Sequence, residues 1–146
     1  MRQLFLCLLL SIFSIDAYTQ NQKLNLQGAW KLVIVQQIDD NKIETVFPGK
    51  YTGEQIKIWS GKQVLFVGRY QVESKTEEQY GMGTFKLDGK RYEEYYPVFS
   101  YKPWEAKIIR LKIEMKKDTL VQTFPLNEKF ESDESTIYIE KYIRVN

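Results

Sequence analysis

From Gly28 to Val145 the chain alternates short runs of β-branched and aromatic residues with turn-forming residues. The turns recur at intervals of roughly 8–12 residues, the spacing typical of β-sandwiches and β-barrels. No long stretch keeps the apolar period of 3.6 residues that an amphipathic helix requires. The pattern therefore predicts an all-β domain of about eight to nine strands, joined mostly by local hairpins.

Turn signals set the predicted strand limits, and the strongest is Asp88-Gly89, which is typical of a tight hairpin. Polar or proline-containing segments, Tyr101–Trp104 and Pro125–Ser135, are predicted loops. An up-and-down strand order leaves two exposed edges unless the first and last strands pair, so we expect an antiparallel up-and-down barrel; an open sandwich is the alternative. The predicted strands are Gly28–Ile38, Ile43–Phe47, Glu54–Trp59, Gln63–Gln71, Tyr80–Leu87, Lys90–Phe99, Glu105–Lys116, Thr119–Phe124 and Thr136–Val145.

Alternation along the strands predicts which side chains point into the barrel, because successive residues of a strand face opposite sides. One further strand places a carboxylate, Glu94, on the same face as two phenols. If that face is inward, Glu94 either orients a ligand or lies at the wet mouth; otherwise it is on the outer wall. The side chains predicted to face inward are Trp30, Leu32, Ile34, Val64, Phe66, Gly68, Tyr70, Ile109, Leu111, Ile113 and Met115.

The first residues have the three-part layout of a secretory signal: Arg2, an apolar run over Leu4–Ile15, and small residues near Ala17. We predict a signal peptide over residues 1–19, cleaved after Ala17 or Thr19, and one domain over residues 20–146. The expected location is periplasmic or extracellular, with no transmembrane segment in the mature chain, because the apolar run is too short for a permanent span.

Composition narrows the function further. The formal net charge is +2, with basic and acidic residues interspersed, which argues against a nucleic-acid partner. Cys7 is the only cysteine and lies within the predicted signal peptide, so we expect a domain without disulfides. The absence of an Asn-x-Ser/Thr acceptor favours a bacterial origin.

The chain has no histidine, and thus lacks the commonest general base and metal ligand, so we expect no enzymatic activity, no metal and no cofactor. Glu77-Glu78 and Glu93-Glu94 cannot act as catalytic pairs, since adjacent strand residues face opposite sides. The acidic segment Glu128–Glu134 lacks the glycine and the ligand spacing of a calcium loop.

The motif Gly28-x-Trp30 at the start of the first strand resembles the opening signature of lipocalins and other calycins. The resemblance implies that Trp30 closes one end of the barrel and that Arg144, on the last strand, packs over it. Gly83–Gly89 followed by Tyr92-x-Glu94 is similar to the middle hairpin of small secreted lipocalin-like proteins of unknown function from Gram-negative bacteria. Gly28, Trp30 and Arg144 are therefore assigned to barrel closure.

These features together predict a secreted lipocalin-like protein that binds a small hydrophobic or amphipathic ligand inside the barrel. The alternative is a structural module with a filled barrel that docks a protein or glycan on its outer face or loops. A cavity of several hundred cubic ångströms would favour the first hypothesis. The residues predicted to line the ligand site are Phe66, Tyr70, Tyr92, Glu94 and Tyr96.

Overall fold

A computed structural model describes residues 24–132 and 135–145 of the chain. The described residues form a closed antiparallel barrel of eight strands with one extra strand, which confirms the predicted all-β class and barrel closure. The predicted signal peptide over residues 1–19, Cys7 included, lies outside the described residues, as do positions 133 and 134 of the acidic loop.

The strands follow the predicted order along the chain. The strands are β1 (Gly28–Asp39), β2 (Lys42–Phe47), β3 (Tyr51–Ser60), β4 (Gln63–Val72), β5 (Lys75–Asp88), β6 (Arg91–Phe99), β7 (Ile108–Lys116), β8 (Thr119–Phe124) and β9 (Thr136–Arg144). One 3₁₀ turn, Lys102–Trp104, lies in the predicted loop between β6 and β7.

The barrel closes because β1 pairs with the last strand along nearly its whole length, from Trp30 opposite Arg144 to Asp39 opposite Thr136. Its other edge is shared between two strands. The first residues of β1 pair with β3, whereas Val35–Asp39 pair with β2. The short strand β2 therefore extends the wall at one end of the barrel, which accounts for nine strands in an eight-stranded closure.

The two ends of the barrel are built differently. At one end the tight hairpins after β3, β5 and β7 meet the segment that precedes β1, and Leu26, Trp30 and Trp59 are almost fully buried. At the other end lie the β1–β2 turn and the longer β6–β7 and β8–β9 connections. We call these the closed end and the open end.

A β-bulge changes which side chains of β1 face inward, and the predicted inward position of Ile34 is wrong. The register of β1 against β9 shifts between Leu32 and Ile34. Because the extra residue reverses the alternation, Val35 is buried where Ile34 was expected, while Trp30 and Leu32 point inward as predicted. Met115 was also expected inside but is 38% exposed, because it lies next to the β7–β8 turn.

Three strand starts differ from the prediction by more than one residue. The third strand begins at Tyr51, not Glu54. The fifth strand begins at Lys75, not Tyr80, and Lys75–Tyr80 are exposed on both faces, so this part of β5 has no apolar alternation to reveal it. The seventh begins at Ile108, not Glu105, after a 3₁₀ turn and Ala106 at φ 56°. The inward faces of β4 and of β7 up to Ile113 are confirmed.

Candidate functional site

A cavity of about 470 Å³ lies inside the barrel and opens at the open end. Aromatic and aliphatic side chains form most of its wall, with a few polar groups among them. Both the volume and this composition are typical of pockets that bind small molecules. The closed end, by contrast, is filled by side chains such as Trp30, Val64 and Ile113.

The structure brings the five predicted site residues together inside the barrel. Phe66, Tyr70, Glu94 and Tyr96 line the cavity. Tyr92 does not line it, and is completely buried below it, toward the closed end. The β6 strand therefore presents Tyr92, Glu94 and Tyr96 to the interior. Glu94 lies deep in the barrel, and not at its wet mouth or on its outer wall.

Three protein groups contact the Glu94 carboxylate. Lys57 Nζ lies 2.6 Å from Oε1, and the two side chains are 5% and 4% exposed. The Tyr92 hydroxyl donates to Oε1 at 2.8 Å, and the Tyr96 hydroxyl donates to Oε2 at 2.9 Å. Burial and the adjacent carboxylate raise the pKa of both tyrosines well above the ordinary value, so both remain neutral donors.

Lys57 is the counterion that the sequence analysis missed. Its ammonium group also donates to Gln122 Oε1 at 3.1 Å and lies 5.3 Å from the centre of the Trp59 ring. Gln122 is completely buried, and its Nε2 has no hydrogen bond partner in the part of the chain that the structure describes. Lys57 lies two residues before the buried Trp59 on β3, so the period of two along that strand is the signal that could have placed Lys57 inside.

Besides Glu94 and the exposed Glu77, the carboxylate of Glu140 on β9 lines the cavity. The Tyr142 hydroxyl donates to its Oε2 at 2.6 Å, and no other described side chain donates to it or forms an ion pair with it. The side chain is half-buried. Burial raises the pKa of the Glu140 carboxyl, although the charge of Lys57 and the Tyr142 hydrogen bond oppose that rise.

Glu94 and Glu140 belong to the same sequence pattern on two different strands. Both β6 and β9 carry Tyr-x-Glu-x-Tyr, over 92–96 and 138–142, and in each strand all three side chains face the interior. The repeat in β9 is the signal that could have revealed Glu140 from the sequence. The surroundings differ, however, because Glu94 has a lysine partner and Glu140 has none.

A hydrogen-bonded chain connects Glu140 with the opposite wall. Gln55 Nε2 donates to the Tyr142 hydroxyl oxygen at 2.9 Å, and Tyr70 donates to Gln55 Oε1 at 2.8 Å. Burial, followed by the charge of Glu140, raises the pKa of Tyr51 to about 12 and that of Tyr70 further still. These phenols are therefore neutral at physiological pH.

Aromatic rings surround the open end of the cavity. On one side the rings of Phe47, Tyr51 and Tyr70 contact one another, with centroids 5.4–5.8 Å apart. On the other side ring contacts run from Phe66 through Phe99 and Trp104 to Phe124 and Tyr138. A ligand entering here would meet mainly aromatic faces.

The residues assigned to barrel closure lie at the closed end. Trp30 is 1% exposed and donates from Nε1 to Leu26 O at 2.8 Å. The Arg144 guanidinium carbon lies 4.4 Å from the Trp30 ring centre, and its two terminal nitrogens donate to backbone carbonyls of residues 25 and 27. Gly28 has φ +110°, and a Cβ there would lie 2.9 Å from Arg144 Nη1.

The adjacent glutamates Glu77-Glu78 and Glu93-Glu94 do not form carboxylate pairs. Glu78 and Glu93 point to the outer wall and pair with Arg69 and Arg110, so each faces away from its neighbouring glutamate. Within residues 24–132 and 135–145, no three His, Cys, Asp or Glu side chains are placed to hold a metal ion. Over the same ranges, no helix has the length and apolarity needed to cross a membrane.

Comparisons with family models, with curated proteins and with solved structures give no match for this chain.

Proposed function

We propose that this chain is an exported, lipocalin-like binding protein that holds a small, partly apolar molecule in the open end of its barrel. The observation that carries the proposal is the cavity of about 470 Å³ lined mainly by aromatic and aliphatic side chains. Its convergent polar groups, at Gln55, Glu140 and Tyr142, are of the kind that orient a ligand. A module that uses only its outer surface has no need of such an interior.

Glu94 is not placed to act as a general base, because Lys57 neutralises its carboxylate and two tyrosines donate to it. Gly28, Trp30 and Arg144 occupy the roles that the calycin resemblance implies, which supports the lipocalin-like assignment.

Titration with N-phenyl-1-naphthylamine, a neutral apolar dye that fluoresces when it leaves water, tests the proposal. We expect saturable binding at one site per chain. The variant Ile109→Trp fills the cavity wall and should weaken binding at least about tenfold, which corresponds to about 1.4 kcal/mol. Ile108→Trp is the matched control, because the preceding side chain on the same strand points outward and is 51% exposed.

Circular dichroism spectra of both variants establish that each is folded. Failure of the folded wild-type protein to bind the dye, or equal binding by both tryptophan variants, would contradict an interior site.

Export is tested separately by N-terminal sequencing of protein recovered from the periplasm or the culture medium. We expect a new terminus at Tyr18 or Gln20, which follows from cleavage after Ala17 or Thr19. An exported chain that retains Met1 would contradict the proposal.

A further inference from the structure

We propose that the ligand is a protonated amine with an apolar or aromatic body, and that its ammonium group binds the Glu140 carboxylate. The inference rests on the proposed binding function and specifies its ligand class. It follows from a comparison of two carboxylates that occupy equivalent positions in the same Tyr-x-Glu-x-Tyr pattern.

Glu94 shows which protein groups surround an interior carboxylate whose charge is balanced without a ligand. Three donors contact it, and one of them, the Lys57 ammonium group at 2.6 Å, neutralises its charge. An interior charge is costly unless it is paired in this way. Glu94 therefore needs no ligand cation to balance its charge.

Glu140 lacks the corresponding cation. Its Oε2 accepts one hydrogen bond from Tyr142, whereas no described side chain donates to its Oε1. Lys57 forms its ion pair with Glu94 instead, and it is the only basic residue among those lining the cavity. A ligand ammonium group would supply the missing charge and form a charge-assisted hydrogen bond of the stronger class.

The surroundings of Glu140 also suit a cation with an apolar body. The cavity wall near it includes Tyr51, Tyr70 and Tyr138, whose neutral rings can attract a cation through their faces. Phe99, Trp104 and Phe124 line the same cavity and would contact the apolar part of the ligand.

The opposite ligand class, an amphipathic anion such as a fatty acid, finds no free cation among the described residues that line the cavity. The Lys57 ammonium group already contacts Glu94, Gln122 and the Trp59 ring. An anion entering the cavity would also meet the unpaired Glu140 carboxylate, and like charges in a partly desolvated site repel.

Three probes with one apolar body and different head groups test this inference: 4-phenylbutylamine, 4-phenylbutan-1-ol and 4-phenylbutyrate. Each is titrated against the full chain at neutral pH by displacement of N-phenyl-1-naphthylamine and by calorimetry. We expect the amine to bind at least about tenfold more tightly than either of the others, a difference of about 1.4 kcal/mol.

The variant Glu140→Gln keeps the size of the side chain and its acceptor for Tyr142 but removes the charge. It should weaken amine binding at least about tenfold while leaving alcohol binding within about twofold. The control Glu44→Gln removes the same charge from an exposed outer position on β2 and should leave all three affinities unchanged.

The outcomes separate the inference from the function on which it rests. Dye binding without a preference for the amine in the wild-type protein, or a preference that survives in Glu140→Gln, would overturn the amine assignment alone. Absence of binding by the dye and by all three probes would overturn the interior binding function as well. The wild-type comparison requires no substitution, so it decides the question even if Glu140→Gln does not fold.

Discussion

At the scale of single residues, the ion pair between Lys57 and Glu94 dominates the interior. Both side chains are almost fully buried, and their charged atoms are 2.6 Å apart. Removing one partner of such a pair leaves an uncompensated charge in a region from which water is largely excluded. The cost of that change is far larger than the loss of a surface ion pair, which is usually below about 1 kcal/mol.

We therefore expect Lys57→Met to lower the free energy of unfolding by about 3–5 kcal/mol. Lys31→Met is the matched control, because Lys31 also pairs with a glutamate at 3.0 Å but both side chains are well exposed. Its effect should stay below about 1 kcal/mol. Urea denaturation measures both. The double variant Lys57→Met/Glu94→Gln should recover part of the loss, and additive single effects would contradict direct coupling.

Glu140 gives a prediction with a pH dependence. Burial raises the pKa of its carboxyl in the folded protein, so the folded state holds this proton more tightly than the unfolded chain does. The contribution of Glu140 to the free energy of unfolding therefore has its full value below the ordinary pKa of about 4.3. This contribution is lost as pH rises through the raised pKa. Lys57, Glu94 and Tyr142 are the groups that act on it.

Glu140→Gln should accordingly be as stable as the wild-type protein near pH 4 and more stable above it. Thermal melts across pH 4–8 measure the difference. A constant offset between the two proteins, or a wild-type advantage that grows with pH, would contradict the assignment. A stabilising substitution at an unpaired interior carboxylate is what we expect of a residue retained for binding.

The sequence could predict Glu94 but not its partner. Alternation along β6 places Tyr92, Glu94 and Tyr96 on one face, because a strand has a fixed period of two. The partner depends on which strands face each other across the closed barrel, and β3 and β6 are not adjacent. That relation is a property of the three-dimensional closure, so the sequence could indicate that Lys57 and Glu140 face inward but not that Lys57 pairs with Glu94.

At the scale of strands, alternation worked where the ladders are regular and failed at a bulge. Val64, Phe66 and Tyr70 on β4 are buried as predicted, and β4 pairs with both neighbours without a shift in register. On β1 the shift between Leu32 and Ile34 moves Val35 to the inside. The residues around a bulge carry no local signal of the extra residue, because the shift is set by pairing with β9.

The contact between the first and last strands can be tested by replacing the Trp30 and Arg144 side chains with alanine. Trp30→Ala should cost about 3–5 kcal/mol, since a large buried ring is removed at the closed end. Arg144→Ala should cost less, but more than the about 0.5 kcal/mol of an ordinary surface change, because it loses two backbone hydrogen bonds and the ring contact.

Arg69→Ala is the control for Arg144, because Arg69 pairs with Glu78 on the exposed outer wall. Chemical denaturation of the three variants gives the comparison. Equal denaturation midpoints for Arg144→Ala and Arg69→Ala would show that Arg144 does not stabilise the closed end.

At the scale of the whole molecule, the barrel combines a filled closed end with a cavity at the open end. Stability should therefore be uneven along the barrel axis, because opening free energies follow local burial and hydrogen bonding. The closed end contains Trp30, Trp59 and Leu120, each almost fully buried. At the open end, Lys75–Gln79 pair with β4 only, since the β5–β6 ladder starts at Gly81.

We expect hydrogen exchange to be slowest for amides of β8 and β9 near Leu120 and Tyr142, which are completely buried and lie in a strand pair at the closed end. The amides of Lys75–Gln79 should exchange at least about a hundredfold faster, a difference of about 2.7 kcal/mol in opening free energy. Exchange followed by mass spectrometry or NMR measures both segments in one experiment.

Saturation with 4-phenylbutylamine should slow exchange around the cavity, at Tyr70 and Glu140, while Lys116–Thr119 at the closed-end turn serves as the internal control. Uniform protection along the barrel would contradict the division into two ends, because a barrel filled throughout has no less stable half from which a ligand site could open.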